Sequence, residues 1–191
     1  MTPQGLLQLI QKRRSIYPPS YVDKPIPKEI LEEILEAANW APNHRKTEPW
    51  RFKVIRGGAK ERLGQYMADF YKANTPEEKF SPMKFKKNIK KTAKSDTIIA
   101  ICMKRDPADS LPEWEEEAAV AMAVQNMWLM CTAHSIGSYW SSGKALLKAN
   151  DFLGLEEGEK CMGAFFMGYY EVDIPQPEKA SIMEKVEWLD Q

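Results

Sequence analysis

Residues 10–19 read IQKRRSIYPP. Three cations, Lys12, Arg13 and Arg14, run straight into Ser15 at the end of an apolar stripe and just before a double proline. Adjacent cations repel one another unless water or an anion sits among them. Arginine forks match phosphate oxygens two at a time, and a serine hydroxyl adds a neutral donor. The same residues also suit a plain helix end, where cations complement the carboxy-terminal dipole. The pattern admits an anion grip without requiring one.

Four further stretches carry chemical side chains. APNHRKTEPWRF, residues 41–52, crowds Asn43, His44, Arg45, Lys46 and Thr47 into consecutive positions. It joins a strong helix to a strand, and loops held at both ends by rigid elements are common places for sites. IGSYWSSG, residues 136–143, sets two glycines and three serines around Trp140, a surface that admits a planar ligand or a short strand and turn. EWEEEAA, residues 113–119, puts glutamates where a first helical turn complements the dipole. KFKKNIKKTAK, residues 84–94, has six lysines in eleven residues. It suits a solvated helix face first, attraction of an anionic nicotinamide phosphate second and nucleic acid last.

The elements that position these stretches follow from periodicity. Leu6, Leu7, Leu9 and Ile10 form one stripe, which predicts a helix over 3–13 ended by Pro18 and Pro19. Ile30, Leu31, Ile34, Leu35 and Ala38 form another after Pro27. WRFKVIR alternates as a half-buried strand, Gly57-Gly58 turns the chain into a helix over 59–72, and DTIIAICM reads as a central strand. A long core helix over 114–135, a short helix near 145–152 and the strand KCMGAFFMGYY follow. The proline-punctuated tail is expected to lie across the surface or across a partner. No repeat or linker divides residues 1–191, so the reading is one α+β domain with helices outnumbering strands.

Composition narrows the classes. Lys plus Arg and Asp plus Glu both number 27, a balance that argues against wholesale nucleic-acid binding. The amino terminus lacks a signal-peptide apolar run, and the apolar stretch from Ala118 is broken by Gln125 and Asn126 before it reaches membrane-spanning length. Cys102, Cys131 and Cys161 are widely spaced among apolar neighbours, so they read as buried reduced thiols in a cytoplasmic protein, with no zinc-ligand spacing.

Taken in order, the early helix ending in RRS, the second helix leading to APNHRKTEPWRF, the hydrophobic central helix and GSYWSSG resemble the compact branch of the nitroreductase family from about residue 5 to 188. The resemblance implies a central, mostly antiparallel sheet surrounded by helices, a long buried central helix and a homodimer with FMN at the subunit interface. It implies that Arg13, Arg14 and Ser15 hold the phosphate and ribityl chain of FMN. Trp40 and His44 would approach the same flavin from the second subunit, and Trp140, Ser141 and Ser142 would lie beside it. Lys179 stands where the family often has a cation for the phosphate.

The chain departs from the family pattern at Tyr17, where many members carry Lys or Arg over the flavin N1 and O2. His44, Lys46 and Glu48 replace the Ser, Asn and Gln often found in the second loop. The implied activity is hydride transfer from NADH or NADPH to FMN. Electrons then pass to a nitroaromatic, quinone or similar acceptor by a ping-pong mechanism with no general base. The alternative is an FMN-binding or storage protein with little turnover.

Overall fold

Thr97–Lys104, strand β2 of a computed structural model describing residues 2–189, is apolar on both faces, and the fold is layered around it. The strands are β1 (Trp50–Ile55), β2, β3 (Ile136–Ser141) and β4 (Glu159–Tyr169), in the order β1-β2-β4-β3. All neighbours are antiparallel. The longer helices are α1 (Pro3–Lys12), α2 (Lys28–Asn39), α3 (Gly58–Ala73), α4 (Pro82–Lys94) and α5 (Glu113–Ala133), with the short α6 (Lys144–Leu147) and α7 (Asn150–Leu153) before β4.

Alternate residues of β2 feed two cores. Ile99, Ile101 and Met103 meet α2 and α5, together with Phe165 and Met167 of β4. Ile98, Ala100 and Cys102 meet Leu63 and Met67 of α3 and Leu146 of α6. Helix α5 buries Val120, Ala123, Val124 and Met127 fully, as its apolar run from Ala118 anticipates. The result is an α+β sandwich with the sheet in the middle, and all three cysteines are buried free thiols. Among the described residues no helix is long and apolar enough to cross a membrane.

One element differs from the sequence reading: the short helix expected near 145–152 is two single turns. The lysine-rich stretch forms the expected helix, α4, which packs on α3. Helix α1 forms as its periodicity predicts yet buries none of its residues; Leu6, Leu7 and Ile10 stay exposed. The tail from Glu171 to Leu189 is exposed almost throughout, with one short turn at Ile182–Lys185.

Strand β4 carries a bulge, because Ile101 faces Gly163 while Cys102 faces Cys161. Gly163 sits at φ 126°, and a Cβ there would lie 2.4 Å from the Ser141 carbonyl oxygen and 2.6 Å from Trp140 Nε1. The substitution Gly163→Ala is expected to cost about 2–4 kcal/mol, read as a shifted urea midpoint. A change under about 0.5 kcal/mol would contradict the tight β3–β4 approach.

Candidate functional site

Arg13 and Arg14 leave α1 in extended backbone, and the chain from Ser15 runs along the outer edge of β3. Ile16 N–H donates to the Ser138 carbonyl at 3.0 Å, and Ser15 bridges Ser138 in parallel register. Ile16 and Pro18 turn inward and are buried, while Ser15 and Tyr17 face out. Gly137 makes the approach possible, since a Cβ there would meet Ile16 Cγ2 at 2.9 Å. The buried Tyr21 hydroxyl lies 2.7 Å from the Ile16 carbonyl and 3.1 Å from that of Phe166, tying the segment to β4 as well. The segment is thus a strap with fixed alternation, and its residue types decide what it shows to solvent.

Among the described residues the strap's cations are held in place without acidic partners. The Arg13 guanidinium lies 4.6 Å from the Trp128 ring centroid, a cation–π contact. Trp128 Nε1–H donates to the Arg14 carbonyl at 3.1 Å, fixing the strap to α5. Partial burial first, and the neighbouring charge of Arg14 second, hold Arg13 below its ordinary pKa. Arg14 turns back to donate to the carbonyls of Gln11 and Arg13. Its Nε and the Ser138 hydroxyl are buried with no partner among the described residues. The Arg13 guanidinium, only partly buried and with no acidic partner among the described residues, is the group on the strap that gains by receiving an anion.

Beyond Ser15 the strap opens into a groove of about 740 Å³. Tyr17 packs against Tyr139 with ring centroids 4.9 Å apart, and Pro18 and Pro19 continue that wall. The opposite wall is one face of α4. There Lys91 Nζ lies 5.2 Å from the Phe166 ring, and burial, then the charge of Lys87, brings its pKa down to about 8. Tyr139 is pushed up to about 12, chiefly by burial, and stays neutral. The groove therefore joins aromatic rings to cations.

Of the remaining candidates, Ser141 ends β3 and Ser142 is exposed just after it, both near the strap by chain continuity. Trp140 lies half-buried against the α5 core, and its indole N–H donates to the Met162 carbonyl at 3.0 Å. Lys179 is exposed on the tail.

Trp40 and His44 lie elsewhere. Trp40 is 79% exposed at the end of α2 and donates to Glu36 at 2.8 Å. His44 Nδ1 lies 2.6 Å from Glu115 in the first turns of α5. Glu115 and Trp128 are thirteen residues apart on that helix, about 20 Å along its axis. Within one chain, His44 and Arg13 are therefore far apart.

The loop around His44 is preformed. Arg45, Lys46 and Glu48 all have positive φ, 54°, 56° and 44°, without being glycine. Left-handed backbone costs such residues about 1–2 kcal/mol each. It is held by the Asn43 side chain, which accepts from Glu48 N–H at 3.0 Å, and by Arg51, which donates to the Glu48 carbonyl at 2.8 Å. Strain maintained in a surface loop is a mark of a working segment.

The glutamates at the start of α5 each have a cationic or imidazole partner: Glu113 and Glu117 pair with Lys160, Glu115 with His44, and the buried Glu116 with Arg105. Sequence reasoning missed Trp128, Ser138 and Tyr139 as site-forming residues. Its first reading of the α4 lysines as a solvated helix face fits Lys84, Lys86, Lys87, Lys90 and Lys94, which are exposed, while Lys91 is partly buried at the groove.

The Nitroreductase family model matches residues 10–169. A relative from Bacillus subtilis, "Putative NAD(P)H nitroreductase YfhC", is 29% identical over 180 residues, covering 91% of this chain and 88% of its own. A solved nitroreductase-like family protein from Bacillus cereus is 25% identical with a TM-score of 0.81, covering 100% of this chain and 99% of its own. A "putative nitroreductase in complex with FMN" from Desulfovibrio desulfuricans is 25% identical with a TM-score of 0.71, covering 100% and 98%.

The burial of Lys91 makes a pH prediction. While Lys91 is protonated its burial costs stability, so apoprotein carrying Lys91→Met is expected to melt above the unsubstituted apoprotein at neutral pH. From about 8 towards 10.5 the native lysine has released a proton that the unfolded chain still holds, so the stability of the unsubstituted protein rises with pH. The gap should close over that window in thermal melts; a constant gap would contradict the assignment.

Proposed function

The chain belongs to the nitroreductase family, and we propose that it works as an FMN-dependent NAD(P)H oxidoreductase whose flavin is shared between two copies of the chain. One observation carries the reading: the strap leaves Arg13 on the Trp128 ring with no acidic partner among the described residues and Ser15 exposed, and from Tyr17 onward it walls an aromatic, lysine-lined groove. The relative solved with FMN supports the choice of cofactor.

The residues present fit that cofactor. The partly exposed Arg13 guanidinium and the exposed Ser15 hydroxyl offer an anionic, hydroxylated chain a cation and a neutral donor. In this proposal Arg13 and Ser15 hold the phosphate and ribityl portion. Arg14, its Nη1 donating to the Gln11 and Arg13 carbonyls, fixes the strap's geometry. Ser141 and Ser142 supply hydroxyls at the groove end, while Trp140 supports β3 from beneath. Lys91 supplies, across the groove, the positive charge that Tyr17 lacks. When bound, FMN supplies two-electron redox chemistry, accepting hydride from a reduced nicotinamide and passing electrons to an acceptor in a ping-pong sequence.

The second copy follows from distance and from exposed apolar surface. His44 is too far down α5 to serve the Arg13 site of its own chain, so it is proposed to complete the partner's, together with the exposed Trp40 at the end of α2. Leu6, Leu7 and Ile10 of α1, Met122 of α5, and Ile182, Met183, Trp188 and Leu189 of the tail are exposed in a single chain. That is more apolar surface than a monomer ordinarily leaves wet. Docking the tail on a partner would carry Lys179 with it, and Lys179 is proposed as a further phosphate contact on those terms. Holding FMN with little turnover remains the second reading, favoured by the uncharged Tyr17.

Purified protein is expected to be yellow and dimeric. Arg13→Ala should weaken FMN binding by about tenfold or more, measured by quenching of flavin fluorescence, because a charge-assisted contact is worth about 1.5–3 kcal/mol. NADH or NADPH should bleach the flavin anaerobically, and a nitroarene or quinone should restore it with parallel reciprocal plots. A yellow monomer in sedimentation would overturn the shared site, and a flavin that neither donor bleaches would favour storage.

A further inference from the structure

The name borne by the relative, NAD(P)H nitroreductase, leaves the donor open between NADH and NADPH. Helix α4 bears on that choice. Its groove-facing residues are Met83, Lys86, Lys87, Lys90, Lys91 and Lys94, the spacing of one helix face, and five of the six are cations. No acidic residue lines the groove. Among the described residues none of these lysines takes part in an ion pair.

Like charges three or four residues apart on a helix cost a few tenths of a kcal/mol per pair. The chain leaves several such pairs uncompensated. From Lys86 to Lys94 the helix rises about 12 Å, more than a single phosphate spans. The FMN phosphate already has its own grip at Arg13 and Ser15, and one lysine suffices for the uncharged Tyr17. Nitroarenes and quinones are commonly neutral and make no use of four more cations. The obligate substrate that is both aromatic and extended in its negative charge is the dinucleotide.

Resting on the flavin-site reading above, we infer that the α4 face binds the phosphates of the electron donor and selects NADPH through its 2′-phosphate. Both donors share the pyrophosphate, but NADPH brings a further charge of about −1.5 to −2 into a groove lined by cations alone. Lysines act as point charges, without the fixed fork of arginine. The preference is therefore a field effect, strongest at low salt and screened as salt rises.

The test is the reductive half-reaction of FMN-loaded protein, followed anaerobically by stopped-flow bleaching with NADPH and with NADH. The second-order rate for NADPH should exceed that for NADH by about tenfold at low salt, and the ratio should fall at about 0.2 M salt. The double variant Lys86→Gln/Lys90→Gln should bring the ratio to about three or less. Lys72→Gln/Lys84→Gln removes two exposed lysines that do not line the groove and should leave the ratio within about twofold. Equal rates for the two donors, an unchanged ratio in the groove variant, or an equal fall in the control overturns the inference. Should neither donor bleach the flavin, the enzyme reading fails by itself. Calorimetric titration with NADP⁺ and NAD⁺ then still decides whether α4 selects the 2′-phosphate.

Discussion

The pairing of Ile16 with Ser138 is the contact on which the site depends. One backbone hydrogen bond on an exposed sheet edge fixes which way every neighbouring side chain points. Because the alternation of extended backbone is strict, burying Ile16 and Pro18 forces Ser15 and Tyr17 outward. Three supports keep the register from slipping: Gly137 beneath Ile16, Tyr21 reaching two carbonyls, and Trp128 holding the Arg14 carbonyl. The strap also covers an edge that would otherwise invite another strand. A single device thus protects the sheet and aims the cations.

The electrostatics follow from what the chain pairs and what it leaves unpaired. At the amino-terminal end of α5 the acidic side chains are matched, Glu116 deep enough that Arg105 and the Asp106 N–H must both attend to it. At the strap and along α4 the cations meet aromatic rings instead, Trp128 under Arg13 and Phe166 under Lys91. An aromatic face holds a cation in place without neutralising it, so the charge stays available to a ligand. That contrast within one chain separates the structural ion pairs from the groups poised for chemistry.

Much of this was legible in the residues. Strict patterns such as Ile30–Ala38 and Thr97–Met103 specify a helix and a central strand, because burial on known faces leaves few alternatives. The order of RRS, the second loop and GSYWSSG pointed to the fold and the family. Long-range contacts were not legible. Nothing in the sequence says that Trp128 lies under Arg13, 115 positions away in the chain, or that the Trp140 N–H is taken by Met162. The α4 lysines read as a solvated helix face and all but Lys91 are exposed, yet composition records only that a segment is charged, and packing on α3 decides that its charged face borders a groove. The positive φ values of Arg45, Lys46 and Glu48 had no glycine to announce them.

Equal numbers of acidic and basic residues conceal a polarised molecule. Helix α4 and its lysines belong to the α3 side of the sheet, whereas Glu29, Glu32, Glu33 and Glu36 of α2 gather on the α5 side. The chain thus carries a basic patch on one side of its sheet and an acidic patch on the other. A neutral particle of this kind aligns in the field of an approaching ion, and it adheres to both anion and cation exchangers near its isoelectric point.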